Sequence, residues 1–200
     1  MVTTRERPII FSGPMVRAIR ADLKTQTRRI VKPAPDRDFG RRCVVQPHEL
    51  AGEINAGRLR NSAYGVPGDR LWVRETFAGS IAYERQGYPL KEWGNKIWYL
   101  ADGEPRSGQW TQPRPSIHMP RCLSRITLEI VSVRIERLHV ITNADALAEG
   151  VDVHPNHHGK PPTSIYSAVQ AYRDLWESIH GPGSWDANPL VWVIEFKRIT

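Results

Sequence analysis

The stretch from Ser12 to Arg29, SGPMVRAIRADLKTQTRR, constrains the fold of this chain more than any other. It begins where an apolar run, Pro8-Ile9-Ile10-Phe11, meets a helix start. Ser12 can cap the unpaired amides of a first turn, and Gly13-Pro14 places proline where its missing N–H costs nothing. Met15, Ile19 and Leu23 recur at i, i+4 and i+8, one apolar face of a helix. The spacing predicts a strand over 8–12 and a helix over 14–23. Lys24-Thr25-Gln26-Thr27-Arg28-Arg29 then holds no apolar side chain, and Ile30-Val31 follows at once as part of a second strand. A dense polar turn between two buried elements is a place where chemistry concentrates. A solvated basic turn that merely ends the helix is the other reading.

Such a helix and strand need a core to pack against, and the composition supplies one. Two hundred residues with 40% hydrophobic content and seven tryptophans can form one folded domain. No apolar run approaches the roughly 20 residues of a membrane span, so no membrane partner is expected. The start, MVTTRERP, lacks the apolar segment of a secretion signal. Cys43 and Cys122 lie far apart and match no metal spacing, which predicts a reduced, cytoplasmic protein. There is no Walker loop, no GxGxxG, no paired CxxC and no GxSxG elbow, and no cofactor is expected. The net charge of +7 favours an anionic partner, nucleic acid or a nucleotide first, although ordinary solubility charge reaches the same value. Oligomeric state is not legible.

Further along, Lys32 to Val66 is rich in Pro, Gly, Asn and Arg and has no sustained period. It reads as a long loop or flap with a short helix near His48 to Ala56. Pro67-Gly68-Asp69 is a turn, and a strand follows in which Leu71, Val73, Glu75 and Phe77 share a face. A carboxylate on that face is buried and needs a partner, or else the alternation fails and Glu75 meets water. Residues 78–117 form a second insertion in which Tyr83, Tyr88, Trp93, Trp98, Tyr99 and Trp110 alternate with cations. Such aromatics can stack bases, or can close a satellite core under a long loop. His118, in Ser116-Ile117-His118-Met119-Pro120-Arg121, suits acid–base work or plain packing.

The pattern from Arg125 to Leu138 is the longest strand. Ile126, Leu128 and Ile130 share one parity and Val131, Val133 and Ile135 the other, which reads as a bulge. Thr142-Asn143-Ala144-Asp145 starts a short helix that ends at Gly150. Glu149 falls in its last turn, where the helix dipole disfavours a negative charge by roughly 0.3–1 kcal/mol. That charge invites a functional explanation or simple screening by solvent. His154, His157 and His158 hint at zinc but lack a fourth ligand, so no metal site is assigned. A helix is expected over Ser164 to His180 with Ile165, Val169, Tyr172, Trp176 and Ile179 as its stripe. The last strand, Leu190 to Arg198, begins apolar on both faces, as a strand covered on two sides would.

Lys24, Thr27 and Arg29 fit the spacing of the signature of the ASCH family, a branch of the PUA-like barrels. That signature has Gly, Lys two later, an acidic residue three after that, and Arg two further on. Here Asp22 stands in the glycine position and Thr27 in the acidic one. Lys-Thr-x-Thr-x-Arg more closely resembles a small bacterial branch that hydrolyses the acetyl amide of N4-acetylcytidine. RPIIFSGPMV, PGDRLWVRE and NPLVWVIEF are similar to ASCH-type proteins of phages and prophages. The resemblance implies a single α+β domain over 1–200. Its fold would be a small bent PUA-like β-barrel with flanking helices and two long insertions, about 32–66 and 78–117. It implies a metal-independent amidohydrolase with Lys24, Thr27 and Glu149 catalytic, Glu149 being carried over from an Ala-x-x-Glu setting after the long strand. Ser12, Arg29, Trp72, Glu75, His118 and Arg121 would bind the substrate, a modified nucleoside, nucleotide or RNA. A non-catalytic module for RNA or a modified base, and a ribonuclease, are the alternatives.

Overall fold

Strands and helices alternate irregularly along the chain. The computed structural model describes residues 4–94, 96–104, 108–151 and 167–200. In chain order come β1 (Glu6–Ile10), α1 (Gly13–Arg20), β2 (Gln26–Ile30), β3 (Ala34–Asp36), β4 (Gly40–Val45) and α2 (Pro47–Asn55). Then follow β5 (Arg70–Arg74), β6 (Phe77–Gly79), α3 (Ile81–Arg85), β7 (Ile97–Tyr99) and β8 (Thr127–Arg137). The chain ends with α4 (Asn143–Ala148), α5 (Ala168–His180) and β9 (Leu190–Arg198). The architecture is mixed α+β. Two compact units divide it: Met1–Asp22 with Asp69–Glu129 and Arg198–Thr200, and Leu23–Gly68 with Ile130–Lys197.

In the first unit β1 runs parallel to β5, and β5 antiparallel to the start of β8, with Leu71 opposite Leu128. Pro8 in β1 has no ladder N–H, which suits a strand with one neighbour. α1 buries Val16 and Ile19, while Leu23 is 66% exposed. The expected stripe through Leu23 therefore fails, because the helix stops at Arg20 and Asp22 turns the chain with φ 57. The insertion 78–117 is a β6–β7 hairpin over a small core of Phe77, Met119 and Leu123, joined by Leu90, Ile97 and Tyr99. Trp93 is buried and fills the space above Gly79, where an added Cβ would lie 1.8 Å from the indole. Of the aromatics in this insertion, Tyr99 joins the satellite core, Trp93 packs on Gly79, and Tyr88 is exposed.

In the second unit the strand order is β8–β9–β2, with β2 antiparallel to β9. Its core gathers Leu138, Ile141, Tyr172, Trp176, Trp185, Val191 and Val193. Each such side chain contributes about 1.5–3 kcal/mol when taken from water. Val191 to Ile194 are all buried, so β9 is covered on both faces as expected. β8 changes its buried parity between Ile130 and Val133. α5 buries Ala168, Tyr172 and Trp176, whereas Ile179 is exposed; Ile165 and the three histidines of 154–158 lie outside the described residues. The supposed loop 32–66 holds a β3–β4 hairpin and α2. Its turn is made locally: Asp36 Oδ1 accepts from the amides of Asp38 and Phe39, and Gly40 has φ 78.

The expected barrel does not close. Among the described residues β1 pairs only with β5, and β2 is hydrogen-bonded as a strand only to β9. The sheet is open. No described helix is long and apolar enough to cross a membrane.

Candidate functional site

The segment 24–29 is a strand entry and strand, buried at Lys24 and from Gln26 to Arg28, not a solvated turn. Gln26, Thr27 and Arg28 pair with Glu195, Ile194 and Val193 of β9. Thr25 donates its amide to Ala148 O and accepts from the Phe196 amide, and Lys24 forms an isolated bridge with Glu149. Lys24, Gln26, Thr27 and Arg28 are each at most 3% exposed. Polar composition suggested a turn because charges rarely enter a sheet. Here they enter because carboxylates from other elements meet them.

Lys24 Nζ has three protons and three acceptors: Gln26 O at 2.7 Å, Glu149 O at 2.8 Å and Glu149 Oε2 at 2.8 Å. Burial pushes the Lys24 ammonium down from the usual lysine range, and the Glu149 carboxylate pulls it back up. Glu149 is the C-cap of α4, and its side chain is 4% exposed. Its charge against the helix dipole is met by Lys24 and by Arg28 Nη1, 3.3 Å from Oε1. Solvent does not screen it.

Arg28 is fully buried. Its Nη2 reaches Glu136 Oε1 at 2.7 Å on β8 and Asp145 Oδ2 at 3.5 Å on α4. Arg134 then ties Glu195 at 2.5 Å, Glu136 at 3.2 Å and Asp145 at 3.6 Å. Gln26 Nε2 donates to Asp145 Oδ1 at 3.3 Å. Lys24, Arg28 and Arg134 thus face Glu136, Asp145, Glu149 and Glu195. Beside this cluster lies a depression of about 370 Å³ lined by Thr25, Gln26, Val131, Ala144, Asp145, Ala148, Glu195 and Phe196. Arg28, Asp145 and Arg134 were not singled out from sequence. The signal for Arg28 was its parity with Lys24, visible only once the stretch is read as a strand.

Thr27 has the other parity. Its Oγ1 is buried and makes no hydrogen bond, so it is bonded to neither Lys24 nor Glu149. Arg29 is half-buried opposite Trp192, and its Nη1 donates to Arg28 O at 3.5 Å. The remaining sequence candidates belong to the other unit. Ser12 is exposed at the start of α1, and its side chain makes no capping bond. Trp72 is half-buried with the Arg74 guanidinium 5.4 Å from its ring. Glu75 is buried and has a partner: Arg125 binds both its oxygens at 2.9 Å. Arg125 also binds Asp102 and lies 3.9 Å from the centre of the Tyr99 ring. His118 is exposed on a 3-10 turn, and Arg121 is held by Glu6 at 2.9 Å. Among the described residues no group of His, Cys, Asp and Glu is arranged to hold a metal, and both cysteines are exposed and unpaired.

Compared with family models, with curated proteins and with solved structures, the chain found no match.

Proposed function

We propose that this chain is an ASCH-type protein of PUA-like ancestry that hydrolyses the amide of an N4-acylated cytidine-type base or nucleoside without a metal. The observation that carries the reading is the buried contact of Lys24 Nζ with Glu149 Oε2 at 2.8 Å. The signature lysine and the glutamate carried over by resemblance are far apart in sequence, and the reading requires them to meet. Asp22 adds support. It adopts φ 57, a left-handed conformation that glycine tolerates best, at the position where the signature has glycine. Besides Asp22 and Thr27 in the signature, the open sheet departs from the resemblance.

In this reading water attacks the acyl carbonyl, a C–O bond forms and the C–N4 bond breaks. Glu149 takes the proton of the water and returns it to the leaving amine. Lys24 stays an ammonium and stabilises the oxyanion, exchanging one of its carbonyl partners for the substrate oxygen. The Thr27 hydroxyl, unused by the fold, positions the substrate. The scheme in which a neutral Lys24 activates Thr27 as nucleophile needs an Nζ–Oγ1 bond, and Thr27 Oγ1 makes none.

One observation favours a second reading, a non-catalytic module for a modified base or RNA. Every Lys24 donor and both Glu149 oxygens already have protein partners, as a purely structural pair would. Incubation with N4-acylcytidines, as nucleosides and within RNA, followed by mass spectrometry separates the readings. Hydrolysis predicts loss of the acyl mass alone, abolished in Lys24→Ala and Glu149→Gln. Full activity in Lys24→Ala sinks the assignment. Binding with intact substrate supports the second reading, and phosphodiester cleavage supports a ribonuclease.

A further inference from the structure

Glu149 is shared between two cations, Lys24 and Arg28. Arg28 reaches Glu149 Oε1 at 3.3 Å, while Lys24 reaches Oε2 at 2.8 Å. Arg28 is itself anchored from the other side by Glu136 at 2.7 Å and Asp145 at 3.5 Å. Both its Nη atoms are committed to carboxylates, while its Nε–H makes no hydrogen bond. A buried donor left unused has a free-energy cost, and the fold retains it. Arginine suits this place because its planar fork spans carboxylates on different elements, whereas one ammonium cannot.

We propose that Arg28 is a positioning residue that divides the Glu149 carboxylate, holding Oε1 so that Lys24 receives only Oε2. The inference rests on the reading of Lys24 and Glu149 as the reacting pair. Two consequences follow for the proton on Lys24. Arg28 takes part of the negative charge that holds it, and Arg28 adds a like charge nearby. Both loosen the proton, so Arg28 makes Lys24 a stronger hydrogen-bond donor to an oxyanion while it stays an ammonium. Other groups surround the pair. Arg29 on β2 pushes in the same direction as Arg28. Asp145 on α4, and Glu136 on β8, hold Arg28. Arg134 on β8 and Glu195 on β9 complete the chain of ion pairs toward solvent. Tyr172 on α5 stays neutral, since burial and then Glu149 raise its hydroxyl well above the tyrosine range.

The test follows Lys24 Nζ by nitrogen NMR against pH in the full chain, its signal assigned by loss in Lys24→Met. Arg28→Gln is expected to raise the Lys24 midpoint by about one pH unit, the usual effect of removing a close like charge. Arg28→Lys should give an intermediate shift. Glu136→Gln removes the shortest anchor of Arg28, frees it to lean on Glu149, and should move the midpoint the opposite way. A folded Arg28→Gln with the wild-type midpoint overturns the proposal. Should that variant not fold, Glu136→Gln decides alone: a lowered midpoint supports the proposal and an unchanged one overturns it. Hydrolysis of N4-acetylcytidine is read separately. An inactive wild type removes the functional reading and leaves the titration to judge Arg28. With an active wild type, the pH profile should move with Lys24 in Arg28→Gln.

Discussion

Thr27 carries a buried hydroxyl that bonds to nothing among the described residues. An unsatisfied buried hydroxyl costs about 1–3 kcal/mol, so its persistence asks for a use outside the fold. Thr27→Val keeps the branched shape that a strand favours and deletes only the polar atom. The expected outcome is an unchanged or slightly raised melting temperature together with a loss of N4-acylcytidine hydrolysis of about tenfold or more, as for a lost hydrogen bond to the reacting group. Thermal unfolding and a rate assay check the two halves. A variant that is stable and fully active would leave Thr27 with no part in the chemistry. Glu75 makes the contrasting case. Its two oxygens are fully used by Arg125, so the fold itself explains its burial.

At the scale of elements, α4 matters because its C-cap is Glu149. Six residues cannot form a stable helix alone, so the helix depends on its ends. Thr142 Oγ1 accepts from the Asp145 amide at 3.1 Å, and Asp145 Oδ2 accepts from the Thr142 amide at 3.0 Å. Thr142→Ala should lower stability by about 0.5–2 kcal/mol. Because the same helix presents Glu149, the variant should also speed amide exchange at Glu149; exchange confined to the first turn would count against this coupling. In the other unit the β6–β7 hairpin depends on a close approach. A Cβ at Gly79 would stand 1.8 Å from the Trp93 ring. Gly79→Ala should cost about 1–3 kcal/mol through overpacking, measured by denaturant unfolding. Trp93→Leu in the same chain should recover part of that loss, and additive costs would show that the two residues do not press on each other.

For the whole molecule the question is what a net charge of +7 does. Much of the arginine is already engaged: Arg28, Arg121, Arg125 and Arg134 each pair with carboxylates. A neutral nucleoside substrate then predicts that KM changes little between about 50 and 200 mM salt, whereas phosphate contacts would weaken binding steeply. Titration kinetics at several salt concentrations decide this. Acid stability follows from the same pairs. Burial opposes ionisation of Asp102, but Arg125 and Arg20 overcome it and hold the carboxyl below its usual value of 3.8. The folded state therefore binds fewer protons there than the unfolded chain. The stability from this group is present above pH 3.8 and is lost as pH falls through the lowered folded value. Asp102→Asn should be less stable than wild type at pH 7, with the gap closing on acidification. A gap that does not narrow in acid unfolding curves would assign the loss to something other than charge.

The sequence by itself determined what short-range signals encode. The cap at Thr142, the start of α1 at Gly13-Pro14, the helix near His48 and the two-faced strand β9 were all legible, because each depends on neighbours within a few residues. So was the need of Glu75 for a partner once its face was known to be apolar, although Arg125 was not nameable. The stretch 24–29 was misread for the same reason. Locally it is a run of polar side chains, and nothing near it in sequence says that Glu136, Asp145 and Glu149 will be there to neutralise it. Burial of an ion is favourable only after its partners are in place, and here they come from β8 and α4, more than a hundred residues away. Sheet closure has the same character, since it depends on whether the outer strands find further neighbours. Tertiary structure alone decided that the sheet stays open, that Lys24 and Glu149 meet, and that Arg28 stands between Glu149 and the rest of the charge.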